Sequence, residues 1–223
     1  TATKAVVTLC TKEGYKLRLT KDHKVGRVKT MTPFRVDTEW CEAGHLRAHD
    51  KVLLNNHGSN TEWGGALNEN EGYLLGLLVG DGTFGGKDMT AVLSVWPRQM
   101  VSNDHGTCGS HAMMAEALRC ADTMPHREGR GWVAIPGRGE YRLQSTSLRD
   151  LAAGSNIRPG HKRVTPELEK VFSAGYKRFL RGLFDADGSV QGGHEKGASV
   201  RLSQSDLVTL EAVHRMLLRL GTM

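Results

Sequence analysis

Two nine-residue stretches of this 223-residue chain are near copies of each other. They read "LLGLLVGDG" (residues 74–82) and "LRGLFDADG" (residues 180–188), and the second begins 106 residues after the first. Self-similarity of this kind means one structural unit used twice. Each copy closes an apolar run long enough for a helix. Gly76 and Gly80 stand four residues apart and so share one helix face, and Gly182 and Ala186 repeat the spacing. Small residues at i and i+4 let two helix backbones approach closely. The spacing therefore predicts a helix-packing interface between the two copies. Leu74, Leu75, Leu77 and Leu78, and Leu180, Leu183 and Phe184, would then face each repeat's own core. Packing the two helices brings their C-terminal ends together, and with them Asp81 and Asp187. A helix C-terminus carries partial negative charge, so an Asp there is unfavourable, and a second carboxylate beside it more so. The arrangement becomes reasonable if divalent cations sit between them, and hard oxygen ligands suit Mg²⁺. Metals held near a phosphodiester activate water and stabilise the leaving oxygen. One Asp-Gly alone would read as an ordinary helix-ending turn; two, on matched helices with matched small residues, favour a site.

The first copy also contains Gly80-x-Gly82-x-x-Gly85, the spacing of a dinucleotide-binding loop. In that fold the glycines follow a strand and open a helix. Here they close a helix and open a strand, and the second copy keeps Asp187-Gly188 without the G-x-G. A nucleotide loop is therefore rejected.

Around the copies the chain divides into regions. Residues 1–57 read as an all-β segment, with "AVVTLCT", "YKLRLT", "KVGRVKT" and "DKVLLNN" alternating or β-branched; Trp40 to Leu46 is compact and mixed. Residues 58–68 are polar and Gly-rich and read as a linker. Residues 69–154 run helix, strand, helix, hairpin, short helix. Residues 155–166 contain Pro159 and Pro166 and read as a second linker. A helix beginning at "ELEK", a strand pattern and a last helix fill 167–223. The class is α+β.

No run of about 18 apolar residues exists, so no membrane partner is expected, and the N-terminus has no signal-peptide core. Cys10, Cys41, Cys108 and Cys120 form no C-x-x-C pair, which fits a reducing, cytoplasmic compartment. His105, Cys108, His111, Cys120 and His126 are zinc-ligand types in one neighbourhood. No pair of them has an established finger spacing, and the plainer reading is a helix start with two small cysteines. The net charge of +6 allows a nucleic-acid partner without requiring one. Residues 58–223 hold 19 Lys and Arg against 18 Asp and Glu. Within 142–181, however, nine basic residues (Arg142, Arg149, Arg158, Lys162, Arg163, Lys170, Lys177, Arg178 and Arg181) face three acidic ones. They form either a local basic surface or an ordinary solvated face.

The two nonapeptides resemble the signature motifs of the LAGLIDADG homing endonucleases of dodecapeptide (DOD) type. The second is nearly complete; the first has Val79 and Gly80 where an acidic residue and Ala are usual. The resemblance extends from about residue 69 to the end. It implies two pseudo-symmetric αββαββα repeats in one monomer, with saddle-like sheets lying along double-stranded DNA. It implies a hydrolase that cuts both strands of a long target across the minor groove, leaving short 3′ overhangs. Asp81 and Asp187 would be the catalytic acids and would bind Mg²⁺ or another divalent cation such as Mn²⁺. Phosphate contacts would supply most affinity, and strand side chains would read bases. The DNA-binding candidates are Arg98, Arg138, Arg142, Lys196 and Arg201.

Ahead of that unit, Thr20-x-x-His23 resembles the block B motif of inteins, and "EWCEAGHLRAHDKVLLNN" resembles the stretch that follows in intein (Hint) splicing domains. Trp40, Leu46 and Asp50 match, while His49 replaces a Gly. By resemblance His23 would polarise the peptide at the N-terminal splice junction and Thr20 would orient it, with host-protein exteins as partners. The chain begins without Met, without a nucleophilic Cys or Ser, and ends without His-Asn. The second repeat stops after one helix. The expectation is an intein fragment lacking both splice junctions, with an incomplete second repeat. Two alternatives keep the fold. One is a catalytically inactive DNA-binding protein, maturase or WhiA-like. The other is a segment carried under the name of its host enzyme, with faint likeness to inteins of cobalamin-dependent ribonucleotide reductases.

Overall fold

The computed structural model describes residues 3–54, 62–97, 109–193 and 197–222. Its contacts divide the chain into two units, Thr1–Ser59 with Leu218–Met223, and Asn60–Leu217. The first unit is two antiparallel hairpins. Strand β1 (Val6–Cys10) pairs with β2 (Lys16–Thr20), and β3 (Lys24–Met31) pairs with β4 (Val36–Glu42). The alternating runs near the N-terminus form strands, as their period dictates. Two details differ from the sequence reading. Trp40 to Glu42 belongs to a strand, because β4 pairs with β3 from Lys24↔Glu42 to Met31↔Val36; pairing outweighs a weak local pattern. Of the run "DKVLLNN", the described residues 50–54 supply the bridge Arg27↔Val52 and no strand, flanked by Val28 N–H donating to Lys51 O (2.8 Å) and Leu53 N–H donating to Gly26 O (2.9 Å). Only Leu19 and Ala43 of this unit's apolar residues are buried among those described, while Val6, Leu17, Met31, Phe34, Val36 and Trp40 are exposed.

The second unit carries the core. Helix α1 (Glu69–Val79) opens with a capping box: Asn68 Oδ1 accepts from Glu71 N–H (3.0 Å), and Asn68 N–H donates back to the Glu71 carboxylate (2.9 Å). Then come β5 (Thr83–Gly85), β6 (Thr90–Val95), α2 (Ser110–Asp122), β7 (Val133–Ile135), β8 (Glu140–Ser145) and α3 (Thr146–Gly154). The order is αββαββα. The four strands form one antiparallel sheet in the order β5-β6-β8-β7. Side chains alternate across it: Ala91, Leu93, Val95, Leu143 and Ser145 lie buried on the face toward the helices, and Glu140, Arg142 and Gln144 share the opposite face. Helix α4 (Ser173–Asp187), strands β9 (Gly188–Gly193) and β10 (Gly197–Leu202), and helix α5 (Leu207–Arg219) repeat the order α, β, β, α. Among the described residues no helix is long and apolar enough to cross a membrane.

The described residues of the segments read as linkers, 62–68 and 155–166, are packed structure. Residues 155–166 bury Ile157, Val164 and Thr165. Helix α4 starts at Ser173 rather than at residue 167, and Leu168–Lys170 is a single 3-10 turn. The reason is a long-range one: Phe172 N–H donates to Ala66 O (3.0 Å) and Ser173 N–H to Trp63 O (3.1 Å), which holds the chain extended there. Trp63 Nε1–H donates to Val171 O at 2.7 Å, and its ring meets Tyr176 edge-on at 5.2 Å. Trp63→Phe keeps the ring contact and removes the donor. It is expected to cost about 1–2 kcal/mol in urea denaturation followed by circular dichroism; no loss would mean that this clasp does not hold the start of α4.

Candidate functional site

Helices α1 and α4 touch backbone to backbone. A Cβ on Gly72 would overlap the Gly175 carbonyl, one on Gly76 the Phe179 carbonyl, and one on Gly182 the Tyr73 carbonyl. A Cβ on Gly80 would overlap the methyl of Ala186. Sequence reasoning named Gly76, Gly80, Gly182 and Ala186; it missed Gly72 and Gly175, although Gly72, Gly76 and Gly80 form a four-residue ladder. The contact with Ala186 also gives a physical reason for Gly80 in the first motif: where Ala faces Ala the methyls would collide. Its neighbour Val79 is buried. Asp185, the corresponding acid of the second motif, accepts a hydrogen bond from Tyr73 Oη (2.8 Å). Burial first, then Asp185, pushes the Tyr73 phenol well above its ordinary value, so it stays a donor.

This approach brings Asp81 and Asp187 to one end of the helix pair. Both carboxyls sit above the usual carboxylate range. For Asp81 the cause is desolvation, partly opposed by Lys162. For Asp187 it is desolvation and then the charge of Asp81, again opposed by Lys162. The half-buried Lys162 donates from Nζ to Gly80 O (2.5 Å) and Gly82 O (2.6 Å). Desolvation lowers its pKa, while Asp187 and Asp81 act to raise it. Gln204 donates to the Asp187 carboxylate. Lys162 entered the sequence reading only as one of nine basic residues, and Gln204 not at all. Nothing in their spacing from the motifs marks them, because each reaches the site through a separate fold-back of the chain.

The two carboxylates suit a hard divalent cation, while the Gly80 and Gly82 carbonyls are taken by Lys162 and the Gln204 amide by Asp187. Among the described residues no group of three His, Cys, Asp or Glu gathers. Mg²⁺ commonly uses only one or two carboxylates and completes its shell with water and substrate phosphate. Asp81 and Asp187 are the residues that would hold it.

The other sequence candidates lie apart. Thr20 and His23 form the turn that closes β2, with His23 N–H donating to Thr20 O (3.1 Å) and Ala43 N–H to His23 O (2.8 Å). The Thr20 side chain and, more strongly, Lys4 hold the Asp22 carboxyl at about 2. His49 takes φ 76°, a left-handed conformation that Gly adopts at least cost. Asp50 fixes that turn by accepting from Arg47 N–H (2.9 Å). Of the zinc-type residues, His105 and Cys108 lie outside the described residues. His111 begins α2, His126 Nδ1 contacts Met124 O (2.8 Å), and Cys120 is buried against Asn70 and Arg119. Of the DNA candidates, Arg98 and Lys196 lie outside the described residues. Arg138 is exposed in the β7–β8 turn, and Arg201 is exposed on β10. Arg142 is tied to Glu140.

Residues 174–223 match the model of the LAGLIDADG-like domain family. The match covers nearly all of α4, then β9, β10 and α5. Over 95% of its length the chain is 23% identical to the ribonucleoside-diphosphate reductase NrdEB subunit alpha of Bacillus subtilis strain 168, and equally to that of Bacillus phage SPbeta. It spans 19% of the length of these relatives. A crystal structure of I-DmoI with its target DNA, nicked in the coding strand, and manganese superposes with a TM-score of 0.45. That alignment has 18% identity and covers 69% of this chain and 77% of that one. A mesophilic variant of the homing endonuclease I-DmoI gives 0.43 at the same identity and coverage.

Proposed function

We propose that the second unit is a site-specific, divalent-cation-dependent DNA endonuclease of LAGLIDADG type. We further propose that it interrupts a protein-splicing domain to which the first unit belongs. The observation that carries the endonuclease reading is the meeting of Asp81 and Asp187 at the ends of two helices whose backbones approach through Gly72, Gly76, Gly175 and Gly182. Holding two ionised carboxylates together against desolvation is costly in a protein that binds no cation there. When bound, the cation would activate water and stabilise the leaving oxygen of a phosphodiester. The protein's own part is positioning. Asp81 and Asp187 sit on rigid helix ends, Gln204 orients Asp187, and the Gly80 and Gly82 carbonyls fix Lys162. Two of the three Nζ–H donors are engaged there; the third is left for a phosphate oxygen or for proton transfer beside it.

The departures Val79 and Gly80, which favoured a silent DNA-binding protein, answer to packing and leave Asp81 untouched. The splicing reading is supported by the Thr20–His23 turn, by the Gly-like backbone of His49, and by relatives named as a reductase subunit. The first unit's exposed apolar side chains also suit a piece of a larger β domain.

The test uses duplex DNA carrying the uninterrupted reductase-subunit coding sequence of the relatives, with Mg²⁺ and with EDTA. Two defined fragments in Mg²⁺ alone support the reading. Sequence-specific retention without cutting, in Mg²⁺ and in Mn²⁺, replaces it with a silent binder, and neither result overturns it. Lys162→Met is expected to lower cleavage by about 10²–10⁴-fold. In the unsubstituted protein a pH–rate limb should lie below the ordinary lysine value, because burial lowers this one. Persistence of that limb in Lys162→Met would show that the proton belongs to another group.

A further inference from the structure

The open face of the β5-β6-β8-β7 sheet holds one carboxylate that the cleavage site does not use. Glu140 is only 3% exposed. Its two oxygens accept from a single guanidinium, Arg142 Nε at 2.5 Å and Nη2 at 3.1 Å. Arg142 first, and then the Ser94 hydroxyl, keep its carboxyl below the usual range. The Arg142 side chain itself is 36% exposed. It lines a cleft of about 490 Å³ together with Thr90, Val133 and Gln144, with Arg127 and Arg130 also on its wall.

A guanidinium has five N–H donors in a rigid planar fork. Glu140 takes Nε–H and one Nη2–H. The second Nη2–H and both Nη1–H remain, and the adjacent pair makes another two-pronged edge in the same plane. Arg142 cannot swing away to follow a phosphate without leaving a nearly closed-off carboxylate with only the Ser94 hydroxyl and no counter-charge, which is unfavourable. A fixed edge of two donors suits two adjacent acceptors. Guanine offers such a pair in the major groove, O6 and N7; adenine puts a donor beside its N7, and thymine offers one acceptor and a methyl.

We infer that Arg142 reads one guanine of the DNA target, and that Glu140 is the positioning residue that fixes its guanidinium for this. The inference rests on the reading of this unit as a sequence-specific DNA-binding enzyme.

The experiment selects binders from a pool of randomised duplexes in EDTA, with sequencing, for the unsubstituted chain, Glu140→Gln and Arg142→Gln. The unsubstituted chain should enrich a defined site. Arg142→Gln should lose a guanine preference of about 5- to 150-fold at one position. Glu140→Gln should weaken that same position, leaving the others and the salt dependence of total affinity unchanged. Should either single variant unfold by circular dichroism, the double variant, whose amides can bond each other, carries the test at that position. The inference is overturned if Arg142→Gln weakens all sequences alike and lowers the salt slope by about one, the mark of a phosphate contact. If the unsubstituted chain enriches no site at all, the DNA-reading function fails and the inference with it.

Discussion

Asp187→Asn should abolish metal-dependent cleavage and, in EDTA, raise the melting temperature. The two effects share one cause. Burial and the neighbouring charge of Asp81 lift the Asp187 carboxyl above its ordinary value, so the folded protein binds that proton more tightly than the unfolded chain does. The resulting stability is full below the ordinary carboxylate value and is lost as pH rises through the raised folded value. Above that raised value Asp187 is ionised and works against folding, so the comparison is made on the alkaline side of it. Asn keeps the shape and an oxygen for Gln204, but removes the charge. Cleavage should fall by at least about 10²–10³-fold, the range seen when one preorganised electrostatic contact is removed. Mg²⁺ stabilises whatever state binds it, so it should raise the melting temperature of the unsubstituted protein and have much less effect on the variant. Calorimetry with EDTA and with Mg²⁺ measures both. A lower melting temperature for Asp187→Asn in EDTA, or an equal Mg²⁺ response, would mean that this carboxylate is an ordinary helix-ending residue.

What the sequence revealed here follows distance along the chain. The repeated nonapeptide announces two helices with small residues on one face, because helix period and residue size are local properties. The β-hairpin over residues 133–145 was legible for the same reason, with Gly137 and Gly139 in its turn at positive φ. The start of α4 was not legible: "ELEK" has good helix formers, and what stops the helix is Trp63 and Ala66, over a hundred residues away. Strand β4 is likewise made by its partner. At the site, Asp81 and Asp187 were marked by their motif, whereas Lys162 and Gln204 arrive on segments whose path depends on Val164 N–H meeting Thr209 Oγ1 (3.3 Å) and similar long-range bonds. Glu140 and Arg142 are a middle case. Their spacing of two puts them on one face of any strand, yet only the burial of Glu140 distinguishes a fixed pair from a surface one.

Gly182→Ala and Gly154→Ala should shift stability in opposite directions, although both place a methyl on a helical glycine. Helix propensity favours Ala over Gly by about 1 kcal/mol in each case. At Gly154, the last residue of α3, a Cβ meets nothing within 4 Å, so a gain of up to about 1 kcal/mol is expected. At Gly182 the Cβ would overlap the Tyr73 carbonyl, which is main chain and cannot rotate aside. The helices must separate, and the side chains along α1 cannot fill the gap: Tyr73, Leu75 and Leu78 are already fully buried. Overpacking of this kind costs about 1–3 kcal/mol and can outweigh the propensity gain. Urea denaturation of the two variants measures the difference, and a Gly182→Ala protein as stable as the parent would refute the close approach of α1 and α4. Activity should respond more steeply than stability. Separating the helices moves Asp81 away from Asp187, and a displacement of about 1 Å in a catalytic arrangement can cost about a hundredfold in rate. Gly154→Ala, with no path to the helix ends, should leave cleavage unchanged.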